Sequence, residues 1–205
     1  MKVTIVCGSQ RLNSQSLKVA KFMQHHLIEQ TLCDEADIMD LASDAKLPLW
    51  DEGIWNGEPA WKERLAPLSE RLANSDSFVI IAPEYHGQAP AALKNFFLMW
   101  GQGQLAHKPA LLVTVSSADG GAYPIAELRM SSYKNNRICY IPEQIIVRHV
   151  ETVLNDEPDQ NNPEADAYFR DRIAYALRIL QAYANAMRPI RDSGVTDTST
   201  YRFGM

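Results

Sequence analysis

Near its amino terminus the chain reads Val-Thr-Ile-Val-Cys over residues 3–7 and then Gly-Ser-Gln-Arg-Leu-Asn-Ser-Gln-Ser over residues 8–16. The apolar run predicts a buried strand, and the small polar residues predict a turn that leads into a helix. The first turn of such a helix has unpaired backbone N–H groups and the positive end of the helix dipole, which attract an anion. The spacing matches neither GxGxxG nor GxxxxGK[ST]. The segment therefore predicts a phosphate-binding turn, and the alternative is a polar turn with an ordinary helix cap.

The composition fits one compact domain. Of the 205 residues, 46% are hydrophobic and 22% are charged, which is sufficient for one full core. We predict a single domain over residues 1–188, followed by a polar tail over residues 189–205 that is loosely ordered or docked on a neighbour. The formal net charge of -5 argues against nucleic acid as a partner, because nucleic-acid binding requires a basic surface.

The sequence also lacks the patterns of membrane, secreted and metal-binding proteins. No segment approaches the ~18 apolar residues of a membrane span, and no signal-peptide pattern precedes the first strand. We therefore expect a cytoplasmic protein without a membrane partner. The three cysteines, Cys7, Cys33 and Cys139, have no CxxC spacing, and the five histidines have no metal-binding spacing. We predict no metal, and we expect Cys7 to be a buried apolar residue rather than a reactive thiol.

Strands and helices alternate along the rest of the chain. Apolar runs predict four further strands, at residues 37–41, 77–82, 109–115 and 138–147. Helical spacing predicts helices at about 14–30, 61–72, 90–100 and 121–136 and from 163 onward. We expect Pro67 to kink or split the second helix and Pro142 to break the last strand. Residues 42–59 form one long loop, which either shapes an acceptor pocket or is a surface excursion.

This order of elements predicts an α/β fold with a five-stranded parallel sheet of order 2-1-3-4-5 and helices on both faces. Ligands of such sheets bind outside the carboxyl ends of the strands. The loops at residues 8–16, 83–88 and 116–121 should converge there. The second loop contains an aromatic ring, an imidazole and a glycine, and the third contains small residues with backbone N–H groups. Together they predict a pocket for a phosphate at one end and a planar ring at the other.

The motifs in these loops resemble those of the NADPH-dependent FMN reductases, flavodoxin-like enzymes that include flavin, quinone, chromate and azo-dye reductases. The motif Gly-Ser-x-Arg-x-x-Ser is matched by Gly8, Ser9, Arg11 and Ser14. The motif Pro-Glu-Tyr-Asn, followed by Pro and Leu-Lys-Asn, is matched by Pro83, Glu84, Tyr85, Pro90, Leu93, Lys94 and Asn95. A Leu-Pro-x-aromatic-acidic stretch at residues 47–51 and a Ser-x-x-Gly-Gly loop at residues 117–121 are also similar. The resemblance covers most of residues 1–150.

The resemblance implies that FMN is the cofactor. In the family the first loop holds the FMN phosphate, the second lies along the isoalloxazine and the third meets its pyrimidine edge. The cofactor-binding residues implied here are Ser9, Arg11, Ser14, Gln15, Ser16, Pro83, Glu84, Tyr85, His86, Gly87, Ser117, Gly120 and Gly121. No side chain is predicted to be catalytic. A homodimer or homotetramer is the assembly that the resemblance implies.

The implied function is that of an NAD(P)H oxidoreductase. NADPH or NADH would pass two electrons through bound FMN to a small-molecule acceptor, which is a quinone, a flavin, an azo dye or an oxyanion. Arg11 would bind either the FMN phosphate or the 2′-phosphate of NADPH. Two alternatives stay open at this point: a flavodoxin-type FMN electron carrier, and a non-enzymatic flavin-binding or regulatory protein.

Several positions depart from the family pattern. His86 and Ser16 each stand where Asn is usual, and both can still donate hydrogen bonds. We expect His86 to act mainly as a hydrogen-bonding group, with proton exchange as the alternative. Residues 96–100, Phe-Phe-Leu-Met-Trp, replace the common Ala-x-Asp-Trp, and their large side chains are either core or partly a contact with a partner subunit. Residues 122–124, Ala-Tyr-Pro, are unusual after the double glycine.

Overall fold

The five strands of this computed structural model form one parallel sheet of order 2-1-3-4-5, which confirms the predicted α/β fold. The strands are β1 (Lys2–Cys7), β2 (Glu35–Asp40), β3 (Ser77–Pro83), β4 (Pro109–Val115) and β5 (Cys139–Val147). The structure describes residues 1–203, so the last two residues of the predicted tail lie outside the described residues. Strands β3 and β4 are buried along their whole length, as expected for central strands covered on both faces.

Helices cover both faces of the sheet. They are α1 (Gln15–Glu29), α2 (Gly53–Asn56), α3 (Pro59–Ala73), α4 (Ala91–Met99), α5 (Ala122–Ser131) and α6 (Pro163–Asp192). Helices α1 and α6 pack on one face together with Ile5 of β1. Helices α3, α4 and α5 pack on the other face together with Val6, the next residue of the same strand, because successive strand residues point to opposite faces. No helix within residues 1–203 combines the length and apolar character that a membrane crossing requires.

The apolar residues of α4, and Trp100 directly after it, belong mainly to the core. Phe96, Phe97, Met99 and Trp100 are all buried, so the core interpretation is correct for these four. Leu98, by contrast, is 61% exposed. The helix is capped by Pro90, which therefore precedes the first turn instead of lying inside it, and it ends at Met99.

Prolines interrupt this fold less than the sequence predicts. Pro67 lies inside α3, which runs unbroken from Pro59 to Ala73, so the expectation that it splits the helix is wrong. The ring is exposed, so water can reach the carbonyl that proline leaves unpaired, and Leu68 and Leu72 hold the helix on the sheet. Helix α6 likewise continues through Pro189 to Asp192. The segment after it therefore begins at Ser193.

Pro142 bends β5 without ending it. Pairing with β4 shifts in register, because Ala110 lies opposite Tyr140 whereas Leu112 lies opposite Gln144. Residues 141–143 therefore face a single residue of β4. Such a bulge is a position where a strand tolerates proline, since the missing N–H is not needed for the ladder. The predicted break is wrong, and a bulge replaces it.

Candidate functional site

The turn after β1 lies directly against β3. The backbone N–H of Gly8 donates to the carbonyl of Ile81 at 2.8 Å. A Cβ atom on Gly8 would lie 2.6 Å from that carbonyl oxygen, so the position has no room for a side chain. The glycine therefore lets the chain pass over β3 at the carboxyl edge of the sheet and enter α1.

The first turn of α1 has free hydrogen-bond donors. Ser14 caps the helix, since its hydroxyl oxygen accepts from the backbone N–H of Leu17 at 3.1 Å. The N–H groups of Gln15 and Ser16 have no partner inside the helix, because they belong to its first turn. The Ser16 hydroxyl is buried and has no hydrogen-bond partner within residues 1–203. A buried hydroxyl beside unpaired amides is an arrangement that fits a phosphate group.

Ser9 and Arg11 belong to the same loop, where Ser9 is buried and Arg11 is exposed. The buried Ser9 hydroxyl oxygen accepts from the backbone N–H of Arg11 at 3.1 Å, which shapes the loop around its own serine. The Arg11 side chain is exposed and makes no ion pair with residues 1–203. Its guanidinium is thus available to an anion at the mouth of the turn.

The loop after β3 contains a tight hairpin turn. Tyr85 and Gln88 exchange two backbone hydrogen bonds of 3.0 Å, and the two residues between them, His86 and Gly87, have φ values of 51° and 76°. Positive φ at both central positions is typical of a type I′ turn, for which Asn-Gly is the favoured pair. His is one of the few other residues that adopt positive φ readily. His86 therefore has a conformational role at a position where its imidazole is exposed.

Hydrogen bonds made by the side chains of Tyr85 and Glu84 join the three predicted loops. The hydroxyl groups of Tyr85 and Ser9 lie 2.9 Å apart, which connects the first loop to the second. The Glu84 carboxylate accepts from the backbone N–H of Gly121, which connects the second loop to the third. A Cβ atom on Gly120 would lie 2.6 Å from the Glu84 carboxylate, so a side chain there would push this carboxylate away from its present position. The structure thus brings the loops together as expected, with the Glu84 carboxylate directed at the third loop.

The third loop is fixed by residues that the sequence did not single out. Gly121 has a φ of 102°, and its carbonyl accepts from the Thr114 hydroxyl at 2.8 Å. The guanidinium of Arg148 donates to the Gly120 carbonyl at 3.0 Å. Ser117 donates to the carboxylate of Glu151 at 2.7 Å, and this bond lowers the pKa of Glu151. No spacing pattern indicates these contacts, because they join the loop to Thr114 of β4 and to Arg148 and Glu151, which follow β5.

Asn95 anchors the long loop at residues 42–59. Its amide NH₂ donates to the carbonyl of Pro48 at 2.8 Å, and its amide oxygen accepts from the backbone N–H of Trp50 at 2.7 Å. A cleft of about 170 Å³ lies between this loop, Gln10 of the first loop and α4. The Leu-Lys-Asn motif was the available signal for Asn95, although the sequence did not indicate what the asparagine holds.

Cys7 is unsuited to nucleophilic chemistry, as expected. The side chain is fully buried at the end of β1, and this burial raises the pKa of the thiol to about 12. The thiol therefore stays protonated at neutral pH. Within residues 1–203, no three His, Cys, Asp or Glu side chains are grouped so as to hold a metal ion.

The hairpin turn makes a testable prediction for His86. We expect His86→Asn to keep turnover close to that of the parent and to leave the melting temperature equal or higher, because Asn-Gly suits a type I′ turn. The control is His86→Val, which should lower the free energy of unfolding by about 1–2 kcal/mol because a β-branched residue resists positive φ. Thermal unfolding and steady-state turnover provide the measurements. A His86→Asn protein that folds normally but has lost turnover would contradict this interpretation and favour proton exchange.

The known proteins that this chain resembles are reductases that use FMN or NAD(P)H. A family model described as NADPH-dependent FMN reductase matches residues 1–152. An FMN-dependent NADPH-azoreductase of Staphylococcus aureus (strain USA300) is 24% identical over 173 residues, which cover 84% of this chain and 90% of the relative. The solved structure of FerB, a flavoenzyme NAD(P)H:(acceptor) oxidoreductase from Paracoccus denitrificans, has a TM-score of 0.70 at 22% identity and covers 91% of this chain and 98% of its own. The solved structure of an NAD(P)H:quinone oxidoreductase from Methanothermobacter marburgensis has a TM-score of 0.62 at 16% identity, and the match covers 88% of this chain and 97% of that protein.

The two structural likenesses bear on the fold, whereas the family model bears on the activity. The model spans well over half of the chain, including all three loops of the site. The protein is accordingly an oxidoreductase whose cofactor is FMN and whose electron donor is NAD(P)H. With this match and with the three loops joined at the carboxyl edge of the sheet, the chain belongs to the NADPH-dependent FMN reductase family.

Proposed function

We propose that the protein is a two-electron reductase that uses NADPH to reduce a flat aromatic acceptor, either a quinone or an azo compound. One observation carries the proposal: the hydrogen bonds of Tyr85 and Glu84 tie a phosphate-type helix terminus to two glycine-containing loops at one edge of the sheet. The acceptor class is supported by two relatives, one named as an azoreductase and one as a quinone oxidoreductase. A homodimer or homotetramer and a cytoplasmic location stay predictions.

Each of the three loops contacts a different part of FMN in this proposal. Ser9, Ser14, Ser16 and the free amides of α1 bind the phosphate, and the buried Ser16 hydroxyl gains the partner that it lacks among residues 1–203. The second loop, from Pro83 to Gly87, lies along the ring system. Residues of the third loop, Ser117, Gly120 and Gly121, meet the edge of the ring through backbone groups.

When bound, FMN supplies the redox chemistry, in which electrons pass from a nicotinamide to the acceptor. The protein then binds and orients the reactants, and no side chain of the site is needed as an acid, base or nucleophile. Family membership supports an enzyme over an electron carrier or a binding protein, and no contact in the site favours either of those alternatives.

The test is an anaerobic titration of the FMN-loaded protein with NADPH and, separately, with NADH. We expect flavin absorbance to bleach faster with NADPH, and to return when menadione or an azo dye is added in stoichiometric amount. Bound FMN that neither nicotinamide bleaches would instead indicate an electron carrier. A protein that takes up no FMN would indicate a non-enzymatic role.

We further propose that Arg11 binds the FMN phosphate, and this makes a prediction. Arg11→Gln should raise the Kd for FMN about tenfold, because a charge-assisted hydrogen bond is lost, while the Kd for riboflavin stays unchanged. Both constants come from titrations followed by flavin fluorescence. Arg178→Gln is the control, since it removes an exposed arginine from α6. An unchanged Kd for FMN together with a raised KM for NADPH alone would assign Arg11 to the 2′-phosphate of the nicotinamide.

A further inference from the structure

Tyr123 lies where the second and third loops of the site meet. Helix α5 begins at Ala122, directly after Gly121, so Tyr123 is in its first turn. A Cβ atom on Gly87 would lie 3.4 Å from the Cδ2 atom of Tyr123, which places the phenol ring against the hairpin turn. The residue thus borders the proposed ring pocket, although its sequence context departs from the family pattern.

The ring of Tyr123 is open to solvent and its hydroxyl is not engaged. The side chain is 72% exposed, and its hydroxyl makes no hydrogen bond with residues 1–203. Tyr85, the other tyrosine of the site, is half-buried and its hydroxyl is committed to Ser9. A single exposed aromatic residue is ordinary on a protein surface, so the exposure of Tyr123 is informative only because of its position at this pocket.

The backbone around Tyr123 is held firmly in place. Gly121, two residues before Tyr123, is tied to Glu84 and Thr114 by hydrogen bonds, and the residue after Tyr123, Pro124, is buried. On the opposite side, Gly87 has no side chain that could cover the phenol ring. An exposed aromatic face on a fixed backbone is suited to stacking, because a tyrosine side chain has only two torsion angles to order when a second ring packs on it.

We propose that Tyr123 is a specificity-determining residue that stacks on flat aromatic acceptors at the rim of the site. Aromatic pairs attract each other beyond simple burial of area, whereas an inorganic acceptor has no ring to stack. Tyr123 therefore selects quinones and azo compounds over small inorganic ions. The inference rests on the proposed function and deepens it by naming a residue that distinguishes acceptor classes. The stacking group is the ring, and the hydroxyl is not required.

The test compares Tyr123→Ala and Tyr123→Phe with Tyr133→Ala, which removes another exposed tyrosine beyond the end of α5. Menadione is titrated into the oxidised, FMN-loaded proteins and its Kd is read from flavin fluorescence. KM and kcat are then measured with NADPH for menadione and for ferricyanide, which has no aromatic ring. We expect Tyr123→Ala to raise the Kd for menadione about fivefold. The KM for menadione divided by the KM for ferricyanide should also rise about fivefold in this variant. Tyr123→Phe should restore both values, and Tyr133→Ala should match the parent.

The outcomes separate this inference from the proposed function. If the parent reduces menadione but Tyr123→Ala leaves both the Kd and the KM ratio unchanged, the role of Tyr123 is overturned while the proposed function stands. A rise in the Kd for FMN in Tyr123→Ala would also overturn it, since the residue would then act on the cofactor. A parent protein that NADPH bleaches but that reduces neither menadione nor an azo dye would overturn the proposed acceptor class itself.

Discussion

The Gly8→Ala protein should melt at a markedly lower temperature than the parent and should bind FMN far more weakly. The added methyl group would lie 2.6 Å from the carbonyl oxygen of Ile81 and 2.9 Å from Cδ2 of Leu93. The carbonyl is backbone of a fully buried central strand, so it cannot move aside as the end of a flexible side chain could. The turn must therefore lift off β3, at a cost of about 1–3 kcal/mol in the free energy of unfolding. The same displacement moves the amides of α1 that receive the phosphate.

Gly101→Ala is the matched control for this prediction. A Cβ atom on Gly101 would meet no heavy atom within 4 Å, so the same chemical change is made without a clash. Melting temperatures and FMN titrations of the two variants provide the comparison. If Gly8→Ala and Gly101→Ala had equal melting temperatures and equal FMN affinities, the close approach of the first loop to β3 would be unimportant for the site.

The Gly121→Ala protein should lose at least about tenfold in affinity for FMN, which corresponds to about 1.4 kcal/mol. A Cβ atom there would lie 2.4 Å from Cγ2 of Ile146 and 3.0 Å from the Thr114 hydroxyl, and the φ of 102° is itself unfavourable for alanine. The methyl groups of Ile146 can shift, but the backbone angle cannot relax without moving the N–H that donates to Glu84. The link between the second and third loops would then fail.

The control variant Gly103→Ala separates the effect of the unfavourable backbone angle from the effect of the steric clash. Gly103 also has a positive φ, of 96°, but a Cβ atom there would meet nothing within 4 Å. Alanine at that position incurs the backbone strain alone, in the segment between α4 and β4 and outside the three loops. Flavin fluorescence titrations of the two variants should show weakened FMN binding only in Gly121→Ala. An equal loss in both variants would contradict a specific role for the third loop.

The sequence predicted the central strands more accurately than the edges. Strand β4 has the expected bounds and β1 begins one residue before the apolar run at residues 3–7, because a continuous apolar run is required wherever both faces of a strand are covered. The edge strand β2 begins at Glu35, two residues earlier than expected, since Glu35 is exposed and Ala36 is a small, half-buried residue, so neither gives a strong apolar signal. Helix α5 ends at Ser131, earlier than expected, because the polar residues 132–136 form turns. Local patterns do not show which of these ends the packing stabilises.

For the candidate site, the sequence predicted which loops converge but not how they are joined. The order of a doubly wound sheet is sufficient to bring the three loops to one edge. The direction of the Glu84 carboxylate, the anchoring role of Asn95 and the position of Tyr123 depend on contacts between residues far apart in the chain. Such contacts follow from side-chain packing, and a single sequence contains no periodic pattern that reports them. The roles of the predicted cofactor-binding residues stay predictions that the variants above test.

The bulge at residues 141–143 also bears on the solubility of the protein. Strand β5 is the outer strand of the sheet on its side, and an open strand edge is a template on which another chain can add a strand and start an aggregate. The shift in register leaves no long straight row of donors and acceptors along β5, and Pro142 removes one donor outright. The irregularity that complicates pairing with β4 therefore protects this edge of the sheet against association with unrelated strands.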